Sequence, residues 1–81
     1  METTKHLIAQ LREGKLATVV ALQGGHLFQE RLRSLGVKEG KILLMVAKHP
    51  FAGPLVVEVD GRQITLGRKM AQRILVKPQA P

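Results

Sequence analysis

GGHLFQERLRSLG, residues 24–36, is the stretch in which apolar residues recur at helical spacing between two runs of small and β-branched residues. It opens on Gly24-Gly25, a pair that lets a strand turn out of its path through positive φ. It closes on Gly36, placed as the C′ residue of a helix, with Val37 behind it as the apolar contact of such a cap. Leu27, Phe28, Leu32 and Leu35 recur at helical spacing, while Gln29, Glu30, Arg33 and Ser34 fall largely on the other side. The pattern predicts one short amphipathic helix, laid by those four residues against a small β-sheet.

Upstream, Leu16 to Leu22 (LATVVAL) is a short apolar run centred on Thr18, Val19 and Val20, and reads as a buried first strand. Before it, Leu7, Ile8 and Leu11 share one side of a helical turn ended by Gly14, and residues 1–6 read as loose polar chain. Downstream, Lys38-Glu39-Gly40 makes a turn into a second strand, Lys41 to Lys48 (KILLMVAK). His49 to Pro54 (HPFAGP) holds two prolines and a glycine and is read as an irregular connection. Leu55 to Val59 is the third strand. Asp60-Gly61, set between VVEV and RQITL, specifies a two-residue hairpin of type I′. In the strand after it, Ile64 and Leu66 alternate with Gln63 and Thr65, one face dry and one wet. Met70, Ala71 and Ile74 return to helical spacing with Arg68, Lys69, Gln72 and Arg73 outward; a last short strand covers Ile74 to Lys77, and PQAP is a stop.

About five strands, one tight hairpin and two helical turns predict a mainly β fold: a small SH3-like barrel with a helix inserted after the first strand and a helical turn before the last. An OB-fold is the nearest competitor, but its helix lies between the third and fourth strands. The 81 residues form a single domain, 1–81, ordered over about 7–77. With two Phe and neither Trp nor Tyr, the core is aliphatic, and the absence of Cys removes disulfide and thiolate chemistry. No run approaches the roughly 20 apolar residues of a spanning helix, and the start lacks a signal-like apolar segment, so the expected location is cytoplasmic. Thirteen Lys and Arg against six Asp and Glu give a charge of +7, which favours an acidic partner. The cations are dispersed from Lys5 to Lys77, and no aromatic series offers a stacking platform, so nucleic acid is the weaker choice of partner.

The residues for catalysis are not gathered. Glu58 and Asp60 flank Val59 on the outer face of a strand running into a turn, as solvated charges, Ser34 sits in a helix, and neither GxxxxGK[ST] nor GxGxxG occurs. The expectation is that the chain is not an enzyme, with no catalytic residue and no cofactor. His26 and Glu30 stand one helical turn apart, close enough to share a metal ion; lacking a third ligand they are read as an i,i+4 contact on a wet face, and no metal site is assigned.

Val20-Ala-Leu-Gln-Gly-Gly, Arg31-Leu-Arg-Ser-Leu-Gly36-Val, Gly40, Pro50-Phe-Ala-Gly-Pro54-Leu and Ile64-Thr-Leu-Gly67 with Ala71 and Ile74 together resemble the ferrous iron transport protein A (FeoA) family, in its order and spacing over roughly residues 7–77. Where that family's first turn commonly carries Pro-Gly, this chain has Glu13-Gly14. The resemblance implies a small cytoplasmic SH3-like accessory domain that works with the large membrane GTPase importing ferrous iron, and related domains serve as interaction modules in metal-dependent repressors. A direct Fe(II)-binding carrier and a basic barrel that binds nucleic acid are the alternatives; self-association is open.

For docking on such a transporter, the candidate contact residues are Arg31, Arg33, Lys48, Pro50, Phe51 and Pro54. Arg31 borders the apolar face of the helix, where its long stem can be buried and its guanidinium either stitches the helix to a loop or meets a partner. Phe51 sits in the proline-bordered loop, which the barrel is expected to bring beside the helix; it is either a core residue or an aromatic anchor. Arg33, Lys48, Arg68, Lys69 and Arg73 are expected to steer the encounter.

Overall fold

The computed structural model describes residues 5–79, so the expectations for residues 1–4 and for 80–81 fall outside it. One antiparallel sheet carries six strands: β1 (His6–Leu7), β2 (Leu16–Leu22), β3 (Ile42–Lys48), β4 (Leu55–Val59), β5 (Arg62–Leu66) and β6 (Ile74–Pro78). Their order across the sheet is β1-β6-β2-β3-β4-β5. Helix α1 (His26–Ser34) interrupts the path from β2 to β3, and the short α2 (Arg68–Ala71) precedes β6. The SH3-like arrangement expected from the sequence is therefore present, with one strand more. The helical turn read over Leu7 to Leu11 divides into β1, which pairs His6 with Val76, and a 3₁₀ turn, Ile8–Gln10.

Two irregularities curl the sheet. Val20 is an extra residue of β2 against β6, between the pairs Val19↔Val76 and Ala21↔Leu75. Val46 is its counterpart in β3 against β4, between Met45↔Val57 and Ala47↔Val56. A bulge bends its strand and sharpens the right-handed twist, and it also resets which residues point inward. That is how Ala17, Val19 and Leu22 all reach the core of β2 although their spacing changes from two to three. The core is aliphatic as expected: Ile8, Leu32, Leu43, Met45, Leu55, Leu66 and Ile74 are fully buried. No helix among the described residues is long and apolar enough to cross a membrane.

Helix α1 ends as its sequence dictates. The Val37 N–H donates to the Leu32 carbonyl at 3.0 Å and the Gly36 N–H to that of Arg33 at 2.9 Å. Gly36 has φ +99°, and buried Val37 makes the apolar contact; this is a Schellman cap. At the other end only Gly24 of the glycine pair uses positive φ, at +103°, while Gly25 is extended at −73°. The apolar face is narrower than expected. Phe28, Leu32 and Leu35, at i, i+4 and i+7, pack on the sheet, whereas Leu27 is 83% exposed. One residue is 100° of helix, so Leu27 shares its face with Arg31 four residues on, and that face is wet.

Between β4 and β5 the hairpin loop Asp60-Gly61 has φ of +53° and +79°, as type I′ requires. Lys41 Nζ donates to Asp60 Oδ2 at 2.8 Å, tying this tip to the start of β3. That hydrogen bond, with the charge of the same lysine, holds the Asp60 carboxyl below the usual aspartate range.

Candidate functional site

At the other end of β4, residues 49–54 form a closed turn whose centre is in an unusual conformation. The His49 N–H donates to the Pro54 carbonyl at 3.1 Å, and the Gly53 N–H to the Pro50 carbonyl at 3.0 Å. The two residues inside that second bond, Phe51 and Ala52, have φ of +59° and +60°. Positive φ at both central positions is the type I′ turn, normally built from Gly, Asn or Asp because a Cβ in the left-handed region costs about 1–2 kcal/mol per residue. Here an aromatic and an alanine occupy it. The Phe51 side chain is 99% exposed, so of the two roles open to it in the sequence it does not take the core one.

The strained turn is held from outside by Arg68. Its Nε donates to the Gly53 carbonyl at 3.0 Å and its Nη2 to the His49 carbonyl at 2.9 Å, so one planar fork grips both flanks of the turn. Arg68 thus serves as a brace for backbone carbonyls, whereas the sequence offered it as one of several steering charges. Among the described residues the side-chain hydrogen bonds to this turn come from α2. A second brace lies one residue before the turn, where the Lys48 N–H donates to Glu13 Oε2 at 2.7 Å. Glu13, read from the sequence as an ordinary turn residue, closes the end of β3. No local pattern announces either contact, since the partners are 15, 19 and 35 residues apart.

Of the six candidate contact residues, Lys48, Pro50, Phe51 and Pro54 are gathered at this end of the sheet, with Pro50 and Pro54 exposed. Arg31 and Arg33 belong to the far end. Arg33 Nη2 pairs with Glu39 Oε2 at 3.0 Å, just before β3 begins, and Arg62 Nη2 reaches the Leu35 carbonyl at 3.3 Å at the foot of α1. Lys48 ends β3, so at about 3.3 Å per residue the two groups lie on the order of 20 Å apart. Arg31 is exposed and its guanidinium meets no hydrogen-bonding partner among the described residues, so the stitching between helix and sheet falls to Arg62 instead. His26 Nε2 and Glu30 Oε2 stand 3.7 Å apart on the wet face of α1, and among the described residues no three His, Asp or Glu side chains converge.

Comparison with known proteins brings the same picture from outside. An iron uptake regulatory protein (FeoA) has a crystal structure similar to this one with a TM-score of 0.87, at 26% identity, covering 94% of this chain and 100% of that one. The FeoA protein of Chlorobium tepidum is similar with a TM-score of 0.84 at 27% identity, over 93% of this chain and 71% of that one. A manganese-dependent transcriptional repressor shares the fold with a TM-score of 0.87 at 24% identity, but this chain, covered over 98%, spans only 44% of it. No curated protein matches. The FeoA domain model matches residues 6–78, nearly the whole length, and the chain belongs to the FeoA domain family.

Proposed function

We propose that the protein is a cytoplasmic accessory factor of ferrous iron uptake, acting by contact with another protein and without chemistry of its own. Its partner is the cytoplasmic part of the membrane GTPase that transports ferrous iron, and its effect is to favour one state of that partner, since differential affinity is what shifts an equilibrium. The supporting observation is Phe51, an aromatic held fully in water on a left-handed turn and braced by Arg68. Strain of this kind persists where the surroundings over-determine it, and it gathers at binding and switching sites. An aromatic carried on a backbone already set by such a brace loses less entropy on docking than one on a flexible loop, and aromatics dominate interfaces. Arg31 and Arg33 at the far end fit the same partner if its footprint spans on the order of 20 Å, an ordinary reach for an interface of about 800 Å² per side. Lys48, Lys69 and Arg73 steer the approach.

Calorimetric titration of the full chain against the transporter's cytoplasmic GTPase domain tests this. Phe51→Ala is expected to weaken binding at least tenfold, as losing an anchor of 1.4 kcal/mol or more does, and Arg31→Glu to weaken it several-fold with a reduced salt dependence. Unchanged affinity in both variants would remove this surface from the interaction.

A further inference from the structure

A second concave surface, which shares no residue with the Phe51 turn, lies where the start of the chain meets the end of β6. It is a groove of about 480 Å³ lined in part by His6, Leu11, Arg12, Lys15, Leu16 and Pro78. This is within the size range of ligand sites. The floor is aliphatic: Leu11 is nearly buried, while Leu16, the first residue of β2, keeps 44% of its surface open to the groove side and solvent. The rim is cationic. Among the described residues no Asp or Glu lines the groove, and the ion pairs found there, His26–Glu30, Arg33–Glu39 and Lys41–Asp60, are all elsewhere. Arg12 and Lys15 are exposed, so two positive charges and an imidazole surround an apolar trough whose described lining holds no carboxylate.

From this pairing of aliphatic floor and unmatched cationic rim we infer that the groove captures a short acidic peptide segment of another protein, one that sets a leucine-type side chain on Leu11 and Leu16 and its carboxylates against Arg12 and Lys15. The chemistry discriminates among occupants. Nucleic acid would match the charge but meets only the single imidazole of His6, with no Phe, Tyr or Trp in the described lining, as a face on which to stack bases. A second copy of this chain carries the same charge of +7 and is repelled at the rim. An acidic, leucine-bearing segment satisfies floor and rim together, and the rim charges set its orientation. This site does not rest on the transporter-docking reading, and its occupant is a linear segment, not a folded surface.

The test is a fluorescence anisotropy titration of the full chain with three labelled probes: an octapeptide of alternating Glu and Leu, its Lys-Leu counterpart, and a single-stranded DNA octamer. Amide shifts in ¹⁵N-labelled protein map the site. The expected result is saturable binding of the Glu-Leu peptide alone, with shifts at Lys15 and Leu16 and at Gln10 and Gln79, which also line the groove. Arg12→Glu combined with Lys15→Glu is expected to weaken it by about tenfold or more, given two exposed pairs lost and reversed. Leu16→Ser, which keeps the charges, should also weaken it, and Phe51→Ala should leave it unchanged. The inference is overturned by no saturable binding, by equal binding of the Lys-Leu peptide, by tighter binding of the DNA, or by shifts centred away from the groove. Wild-type affinity in a double variant with a native spectrum would do the same.

Discussion

Replacing Arg68 separates two readings of a single cation, as a steering charge or as a mechanical brace, and the structure gives the size of the effect. Its fork makes two hydrogen bonds, to the Gly53 and His49 carbonyls, from a half-buried guanidinium. A charged donor is worth about 1.5–3 kcal/mol per bond when shielded, so partial exposure leaves about 1 kcal/mol each and about 2 kcal/mol for the pair. Against this stand Phe51 and Ala52 at φ +59° and +60°, each strained by about 1–2 kcal/mol. In Arg68→Ala the turn can relax out of the left-handed region and recover part of that strain. The net loss of global stability is therefore expected to be only about 1 kcal/mol in urea unfolding. The local effect is larger. Removing about 2 kcal/mol from the braced conformer lowers its ratio to relaxed ones by roughly 30-fold. The amides of Phe51 to Gly53 are then expected to fall from rigid order parameters of about 0.85 to below about 0.6 in ¹⁵N relaxation, with the rest of the sheet unchanged. Arg68→Lys keeps the charge but not the fork, and is expected to loosen the turn almost as much as alanine does. If the lysine variant keeps the turn rigid, charge alone holds it; if the alanine variant does so as well, Arg68 is no brace at all.

Further expectations follow from the same contacts. Ala52→Asn, which tolerates the left-handed region, should stabilise the protein by up to about 1 kcal/mol by urea midpoint and leave Phe51 exposed. Glu13→Ala leaves the Lys48 N–H to water in place of the 2.7 Å carboxylate bond and should cost about 1 kcal/mol, with Glu13→Gln intermediate. The Asp60 carboxyl, lowered first by the hydrogen bond from Lys41, should titrate by carbon-detected NMR below the unfolded aspartate value of about 3.9. Because the folded value is the lower one, this group's stabilisation is present above the unfolded pKa and disappears as pH falls through the folded one. Lys41→Ala should move the titration upward and flatten that acid limb.

The parts of the fold that were legible in the sequence are those fixed by neighbours in the chain. Asp60-Gly61 specified its own hairpin, Gly36-Val37 its own cap, and the alternation of Ile64 and Leu66 with polar neighbours fixed the inward face of β5. The extra residues Val20 and Val46 were not legible, because in LATVVAL and KILLMVAK every residue near the bulge is apolar or small, and a change of face leaves no mark on such a run. Leu27 misled for a related reason: it lies beside the stripe formed by Phe28, Leu32 and Leu35, and hydrophobicity alone does not say which side of a stripe is covered. The candidate site divides along the same line. That Pro50, Phe51 and Pro54 share one turn is a matter of adjacency; that Arg33 stands at the opposite end of β3, and that Arg68 and Glu13 fix the loop and strand end, depends on contacts across the fold.

This difference bears on the proposed docking surface. A flexible HPFAGP loop would have to order itself on the partner and lose affinity in proportion, by about 1–2 kcal/mol for each residue fixed. In this protein that ordering is completed during folding, by two side chains, Arg68 and Glu13, that the partner need never touch. Variants of the brace should therefore weaken docking without removing any contact, and the loss should appear as a lower population of the competent turn: slower association with little change in dissociation. Variants of Phe51 itself should do the reverse, speeding dissociation while the approach, steered by charges elsewhere, proceeds as before. Surface plasmon resonance on Arg68→Lys and Phe51→Ala side by side distinguishes the two. If both variants alter only the dissociation rate, the turn is not pre-set by its brace but shaped on contact.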